Sequence, residues 1–391
     1  MIPRTKVTYT LSSLIKALLV SEKGEHNRQG VRQKLAQLLG SPHILLTASG
    51  RGALYLLLLA LTQRKVVMPA YTCKAVAEAA LLAGKDIHFI EPESNGFNMD
   101  TEALQGVLDA DTVLVATHQF GIPCQLDAVL ALAHQAGAFV VEDAAASLGS
   151  CIAGRLTGTF GDAAFFSLDS TKLLNVPLKG GFLWVRDPDL FFRCQEVQQY
   201  KTRPMPLLRK FHYLILGFVL LLLEHPLLYR IFHTLMFRWR GRFTADSAAL
   251  TPCLGPFYQD HFTEWQAVML LPQLARFRQI VETRRRLYSV YLERLAGVHS
   301  FALPPADIHQ EWAPIRFPIR VYADKLEFYE KAVRQGVDFA FSFTFLAAPP
   351  SCVLAHKLAA MVLDLPFYDR LTPDEMERVI AVLWDIDRKI Q

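Results

Sequence analysis

The chain has 391 residues, of which 52% are apolar and 20% charged, so it folds around a sizeable core and is not disordered. Lysine and arginine number 41 against 37 aspartates and glutamates, a net +4, and both signs are scattered along most of the chain, which argues against a nucleic-acid partner. At about 150 residues per domain the length accommodates two or three domains.

Residues 1–45 read as a lead-in and one helix, with Val31, Leu35, Leu38 and Leu39 at helical spacing. No charged region, apolar core and small-residue cleavage site follow one another at the N-terminus, so secretion is not expected. From Ile44 to about Asp187, apolar runs alternate with helical stretches. The strand candidates are Lys65–Met68, Ile87–Ile90, Thr112–Ala116, Phe139–Glu142, Ala163–Ser167 and Gly181–Val185. Cys73–Leu82, Thr101–Leu108 and Leu126–Gln135 read as helices between them. Strands that are apolar throughout and separated by helices predict an α/β fold with a mostly parallel sheet covered on both faces. Ligands of such sheets bind at the carboxyl ends of the strands.

The stretch Phe211–Phe237 differs in kind. Tyr213–Leu223 runs eleven residues without a charge or amide, enough for a helix of about 16 Å against a hydrocarbon core of about 30 Å. Glu224, His225 and Pro226 interrupt any longer helix, so two short helices bent there are expected. Lys201, Arg203, Arg209 and Lys210 precede the apolar pair, and Arg238, Arg240 and Arg242 follow it. Peripheral contact of residues 211–237 with an anionic membrane surface accounts for this pattern. A hairpin buried in a subunit interface accounts for it equally well.

Beyond Pro256 the pattern predicts one or two helices over Phe262–Leu295, a strand at Ile315–Val321, a helix at Lys325–Gln335 and a strand at Phe339–Phe345. A closing helix starts with Thr372, Pro373 and Glu375 as cap, first helical residue and capping-box partner. The expected division is a large domain over 1–200, the apolar basic-flanked segment over 201–250 and a small α/β domain over 251–391. Six widely spaced cysteines without a C-x-x-C pair suggest neither a metal site nor disulfides, and fit reduced thiols in the cytoplasm.

Three pieces carry chemistry. Glu142-Asp143-Ala144-Ala145 follows an apolar run, and Asp143 there is either a helix N-cap or the partner of a buried cation. Lys172 follows the strand ending in Ser167, and an amine emerging from apolar surroundings is depressed in pKa, as an imine-forming amine requires; alone it also reads as a surface lysine. Ser49-Gly50-Arg51-Gly52-Ala53 opens the apolar helix Leu54–Leu61, where free N–H groups and the helix dipole suit an anion.

In this order the three pieces resemble fold-type I pyridoxal-phosphate enzymes. The chain resembles the DegT/DnrJ/EryC1/StrS family of sugar aminotransferases over nearly its whole length. The resemblance rests on Ser49–Leu54, Met68-Pro69-Ala70-Tyr71-Thr72, Ala83-Gly84 with Phe89, His118-Gln119-Phe120-Gly121, Glu142–Ala145, Gly161-Asp162, Phe166-Ser167, Thr171-Lys172, Thr263–Ala267 and Leu363–Val379. It implies pyridoxal 5'-phosphate as cofactor, with Lys172 as the imine-forming and proton-shuttling amine and Asp143 as partner of the ring nitrogen. Gly50, Arg51 and Gly52, with the Ser167 hydroxyl, would hold the phosphate. Gln259 stands where the family has an asparagine reaching the neighbouring subunit's phosphate, which implies a homodimer with shared sites.

The implied reaction moves an amino group, from glutamate, to a nucleotide- or lipid-linked keto-sugar in polysaccharide or glycoconjugate synthesis. The retained Lys172 speaks against the family's dehydratase branch. Cys73 occupies the position where the family stacks an aromatic ring on the cofactor, so Tyr71 or another ring is expected to substitute. Ala146 and Lys179 also depart from the family pattern. The apolar segment suggests work at the inner face of a membrane. Two rivals are a cofactor-binding regulatory protein without turnover and an enzyme joining an amino acid to an acyl group.

Overall fold

The computed structural model describes residues 1–239, 250, 252–305 and 311–390. Arg240 and Arg242, expected to flank the apolar pair, lie outside the described residues.

The chain opens with α1 (Leu11–Leu19), which the sequence reading left within a lead-in, and α2 (His26–Leu39), whose Val31, Leu35 and Leu39 are buried. There follow β1 (Ile44–Thr47), α3 (Gly50–Ala60), β2 (Lys65–Pro69), α4 (Lys74–Leu82), β3 (Asp86–Ile90), β4 (Thr112–Thr117), α5 (Leu126–Ala136) and β5 (Phe139–Asp143). A short ribbon, β6 (Cys151–Ile152) and β7 (Arg155–Leu156), precedes β8 (Ala163–Ser167), β9 (Gly181–Val185) and α6 (Pro188–Lys201). Seven strands form one sheet in the order β1-β9-β8-β5-β4-β2-β3, parallel from β3 to β8 and antiparallel across β9 to β1. β1 is an edge strand whose four residues are all buried, and it is not among the strand candidates that the sequence offers. Thr101–Leu108 is not a helix. Only Glu102–Leu104 makes a tight turn, and Gly106 at φ 73° takes the chain out of helical conformation.

α7 (Leu207–Leu222) and α8 (Pro226–Trp239) bend by 113° across the break at Glu224, as the sequence predicts. Among the described residues no single helix is long and apolar enough to cross a membrane.

Next come α9 (Pro256–Gln259), α10 (Glu264–Ala275), α11 (Phe277–Arg294), β10 (Phe301–Ala302), β11 (Phe317–Val321), α12 (Lys325–Arg334), α13 (Val353–Met361), β12 (Val362–Leu365) and α14 (Pro373–Ile390). An antiparallel sheet β10-β11-β12 packs under α11, α12 and α14 around Tyr288, Phe317, Phe328 and Leu383. Phe339–Phe345 is not a strand. Ala340 makes a single bridge to Asp364, then Phe343 enters the left-handed region at φ 51° and ends the extended run. The partner of β11 is instead Val362–Leu365. Thr372 and Glu375 exchange the two bonds of a capping box at the start of α14, an arrangement that contributes about 1 kcal/mol.

Candidate active site

The parallel strands β4, β5 and β8 end side by side, and their last residues meet the start of α3 around one cavity. Gly50, Arg51, Thr117, Asp143, Ser167 and Lys172 all line it. Packing at the α3 end explains the glycines. A Cβ on Gly181 would stand 2.3 Å from the Gly50 nitrogen, and one on Gly52 would stand 2.6 Å from the Phe257 carbonyl oxygen. Without side chains at these positions, the α3 N-terminus wedges against β9 and reaches Ser167. Ser49 caps the helix: its Oγ accepts the Gly52 N–H at 3.0 Å and donates to the Phe257 carbonyl at 2.6 Å. Gly52 N–H is thus engaged and Gly52 does not line the cavity, whereas Gly50 and Arg51 do.

Asp143 ends β5 and is buried, and no α-helix follows it, which removes the N-cap alternative. Its Oδ1 accepts the Ala145 N–H at 3.1 Å, and its Oδ2 has the Thr117 hydroxyl at 3.5 Å. Burial pushes its pKa up, and the positive charge of Lys172 opposes that shift. The neighbouring Glu142 has a different life. It accepts N–H groups of Gly158, Phe160 and Gly161 and faces the His118 ring at 3.0 Å, a fully satisfied structural carboxylate. The Cys124 N–H donates to His118 Nδ1 at 3.2 Å, which leaves Nε2 to face Glu142.

Lys172 sits in the loop between β8 and β9. Burial lowers its pKa, Arg316 lowers it further, and Asp143 and Asp169 pull the other way. The loop is anchored on its far side. Asn175 donates to the Lys172 carbonyl and to the Thr8 hydroxyl, each at 3.0 Å, and accepts the Thr8 N–H. Lys179, which replaces an expected acid, forms an ion pair with Asp169 at the cavity wall.

Cys73 caps α4 and lines the cavity, but Tyr71 does not. Tyr71 is fully buried behind the wall, its ring 5.3 Å from Phe343 and 6.4 Å from Phe120. Of the expected alternatives, Tyr71 or another ring, Tyr71 does not face the cavity, whereas the rings of Phe120 and Phe343 line it. Both are non-glycine residues in the left-handed region, at φ 58° and 51°, a strain of order 1–3 kcal/mol each. Gln259 ends α9, where its carbonyl accepts the Arg203 N–H, and it is not among the cavity-lining residues of its own chain.

Sequence reasoning missed Arg316, the cation that the small sheet contributes. It lies just before β11, pairs with buried Asp364 at 2.9 Å and faces the cavity opposite Lys172. Nothing in the local sequence separates Arg316 from an ordinary surface arginine. All six cysteines are free.

The residues fit a pyridoxal phosphate. An under-bonded buried carboxylate suits a protonated ring nitrogen, an amine with lowered pKa suits the aldehyde, and a helix N-terminus beside Ser167 suits the phosphate. The profile of the DegT/DnrJ/EryC1/StrS aminotransferase family matches residues 9–225 and 233–384. The chain is 23% identical over 367 residues to UDP-N-acetyl-3-dehydro-alpha-D-glucosamine 3-aminotransferase of Acidithiobacillus ferrooxidans, covering 91% of this chain and 87% of that one. It is 23% identical over 366 residues to GDP-perosamine synthase of Caulobacter vibrioides, covering 89% and 86%. A sugar aminotransferase structure from Streptococcus pneumoniae superposes with a TM-score of 0.78 at 17% identity, with full coverage of both chains. An aminotransferase structure from Psychrobacter cryohalolentis gives 0.78 at 18% identity, covering 99% of this chain and all of that one. Both superpositions establish the shared fold.

Proposed function

The chain belongs to the DegT/DnrJ/EryC1/StrS family of pyridoxal-phosphate aminotransferases, and on that premise we propose that it moves an amino group from glutamate to the keto group of a nucleotide-linked sugar. The observation that carries this reading is the convergence of Lys172, Asp143 and the α3 N-terminus on one cavity. The names of two relatives, which specify UDP- and GDP-linked products or substrates, support the acceptor class.

When bound, pyridoxal phosphate supplies the electron sink that lets a proton leave the donor's α-carbon. Lys172 Nζ would hold the group and carry the proton between the two carbon centres; its lowered pKa favours the neutral amine that such work needs. Asp143 keeps the ring nitrogen protonated. Ser167 and the Gly50–Arg51 amides take the phosphate, with Arg51 itself paired to Glu78 at 3.4 Å. Phe120 and Phe343 line the cavity and would bound the cofactor, with Cys73 as a small neighbour that leaves space. Arg316 keeps donors to spare beyond its bond to Asp364 and receives a carboxylate of the amino donor.

In this reading residues 1–200 hold the cofactor, 251–391 close over it, and 201–250 join them. Two copies form a homodimer in which Gln259 serves the neighbour's site. Peripheral membrane contact through 211–237 places the enzyme at the cytoplasmic face of a bilayer. The apolar outer face of α7 also favours a second acceptor class, a lipid-linked keto-sugar.

The test is a half-reaction. Purified protein with glutamate should release 2-oxoglutarate, one per cofactor, and a keto-sugar should then regenerate the starting form. Release of free CoA from an acyl-CoA with no 2-oxoglutarate would favour the acyl-joining rival, and silence towards every donor would favour a regulatory role.

A further inference from the structure

We propose that α1, α7 and α8 together present one apolar platform that docks on a single leaflet of an anionic lipid bilayer. This rests on the reading of residues 211–237 as contacting an anionic membrane surface, and adds a third helix from the start of the chain.

The two faces of the α7–α8 pair are unlike. The inner face is pinned by specific bonds. Tyr9 donates to the Gly217 carbonyl at 3.2 Å, Lys210 pairs with Glu22 at 3.1 Å, and Glu224 accepts the Val7 N–H at 3.0 Å while pairing with Arg370. At Gly217 the helix lies so close to the Lys172 loop that a Cβ would stand 2.6 Å from Pro177 Cγ. α8 is tied to the small sheet's helices: Tyr229 and Tyr329 both donate to buried Asp338, and His233 meets the Tyr329 hydroxyl at 3.0 Å. A pair held this way is a fixed surface that stays folded against the body of the protein.

The outer face carries hydrocarbon. Leu208, Phe211, Ile215, Phe218 and Leu222 recur at three- and four-residue spacing along α7, all exposed, with Leu208 at 83% and Ile215 at 64%. Leu227, Ile231 and Leu235 extend the surface along α8. α1 lies against α7. Leu14 packs at Gly217, and Lys210 donates to the Val20 carbonyl beyond the end of α1. With Ser13, Leu14 and Ala17 turned inward, α1 points Leu11, Ile15, Leu18 and Leu19 outward, Leu19 at 79% exposure. Twelve large apolar side chains exposed on three helices, α1 lying against α7 and α8 following it in the chain, exceed the singly scattered ones of an ordinary soluble surface. Sixteen residues of α7 make a bar about 24 Å long, suited to lying in a headgroup layer.

Charge decides between lipid and a second copy. From 197 to 239 the sequence has six basic residues (Lys201, Arg203, Arg209, Lys210, Arg230 and Arg238) and one acid, Glu224. Glu224 is engaged inward by Val7 and Arg370, and of the bases Arg209 pairs with Asp260 and buried Lys210 with Glu22. Lys201, Arg203 and Arg230 are exposed, as is Lys16 on α1. Anionic headgroups answer a cationic rim around an apolar centre. A two-fold contact would set that same rim against itself, with no acid on α7 or α8 to meet it.

The experiment is co-sedimentation of the full-length holoenzyme with phosphatidylcholine vesicles, with and without about one-quarter phosphatidylglycerol. It compares wild type with Ile15→Glu/Leu19→Glu, Ile215→Glu/Phe218→Glu and Lys201→Glu/Arg203→Glu. All six positions are exposed, and near-ultraviolet dichroism checks that each variant is folded. The expected result is binding to the anionic vesicles, at least about tenfold weaker without the anionic lipid, and a loss of at least about tenfold in every variant. If the α7 variant loses binding and the α1 variant keeps it, the membrane reading of 211–237 stands and the three-helix platform falls. Equal binding to both vesicle types overturns the commitment to anionic lipid. Wild type left in the supernatant, with Ile15→Glu/Leu19→Glu converting an oligomer to monomer by light scattering, overturns both and makes the face a subunit interface.

Discussion

The cavity at the ends of β5 and β8 and the outer face of α7 break the same partition rule in opposite directions. At the cavity, charge sits where hydrocarbon belongs: Asp143 is buried, and Lys172 has its pKa lowered by its surroundings. On α7, hydrocarbon sits where charge belongs. Each violation costs free energy in the isolated chain, and each would be relieved by the ligand proposed for it, a cationic ring and an aldehyde in one case and an apolar phase in the other. Glu142 shows what a buried acid looks like when the fold alone satisfies it, with three backbone N–H groups and a histidine in attendance.

The sharpest way to break this contrast is at the cavity. Lys172→Ala should lower transamination by at least about 10³-fold, because both the holding amine and the proton carrier are lost. Coupled detection of 2-oxoglutarate measures it, and a loss below tenfold would move the chemistry to another residue. Asp143→Asn should cost roughly 10²-fold by removing the fixed charge opposite the ring nitrogen. Because burial raises the Asp143 pKa, cofactor affinity of the cofactor-free protein should fall as pH drops, at a higher pH than for an ordinary carboxylate. A fluorescence titration across pH checks the sign.

Gly52→Ala should destabilise the fold by about 1–3 kcal/mol, since its Cβ has only 2.6 Å to the Phe257 carbonyl. Chemical denaturation reads this directly, and an unchanged midpoint would mean that α9 yields. Arg316→Gln removes a cation that lowers the Lys172 pKa, so the acid limb of the pH–rate profile should shift to higher pH. It should also raise KM for glutamate more than it lowers kcat. An unmoved limb would separate Arg316 from Lys172. The smallest effect belongs to the other region: Ile215→Glu should leave the half-reaction in solution within about twofold, because it touches no cavity residue.

Much of this was legible in the chain. The apolar runs at Lys65, Thr112, Phe139, Ala163 and Gly181 are strands because they are buried on both faces, and Asp143, Ser167 and Lys172 follow from their ends. What local patterns cannot carry is assembly. Arg316, Phe120 and Phe343 reach the cavity from three distant segments, the last two through left-handed backbone that no periodicity signals. Tyr71 lies in the right segment but turns behind the wall, where its ring meets Phe120 and Phe343. Val362–Leu365 was hidden inside a motif read as helix approach, and α1 inside a lead-in, because nine residues give little period to count.

The central claim is that Lys172 and Asp143 make this cavity a working transaminase site. Its most direct test is the absorbance spectrum of the holoenzyme titrated with glutamate, with Lys172→Ala alongside. The account predicts a visible band in the wild type that glutamate bleaches while 2-oxoglutarate accumulates, and a variant whose band is absent or displaced. A wild-type band that glutamate leaves unchanged, or a Lys172→Ala protein that bleaches at the wild-type rate, would contradict it.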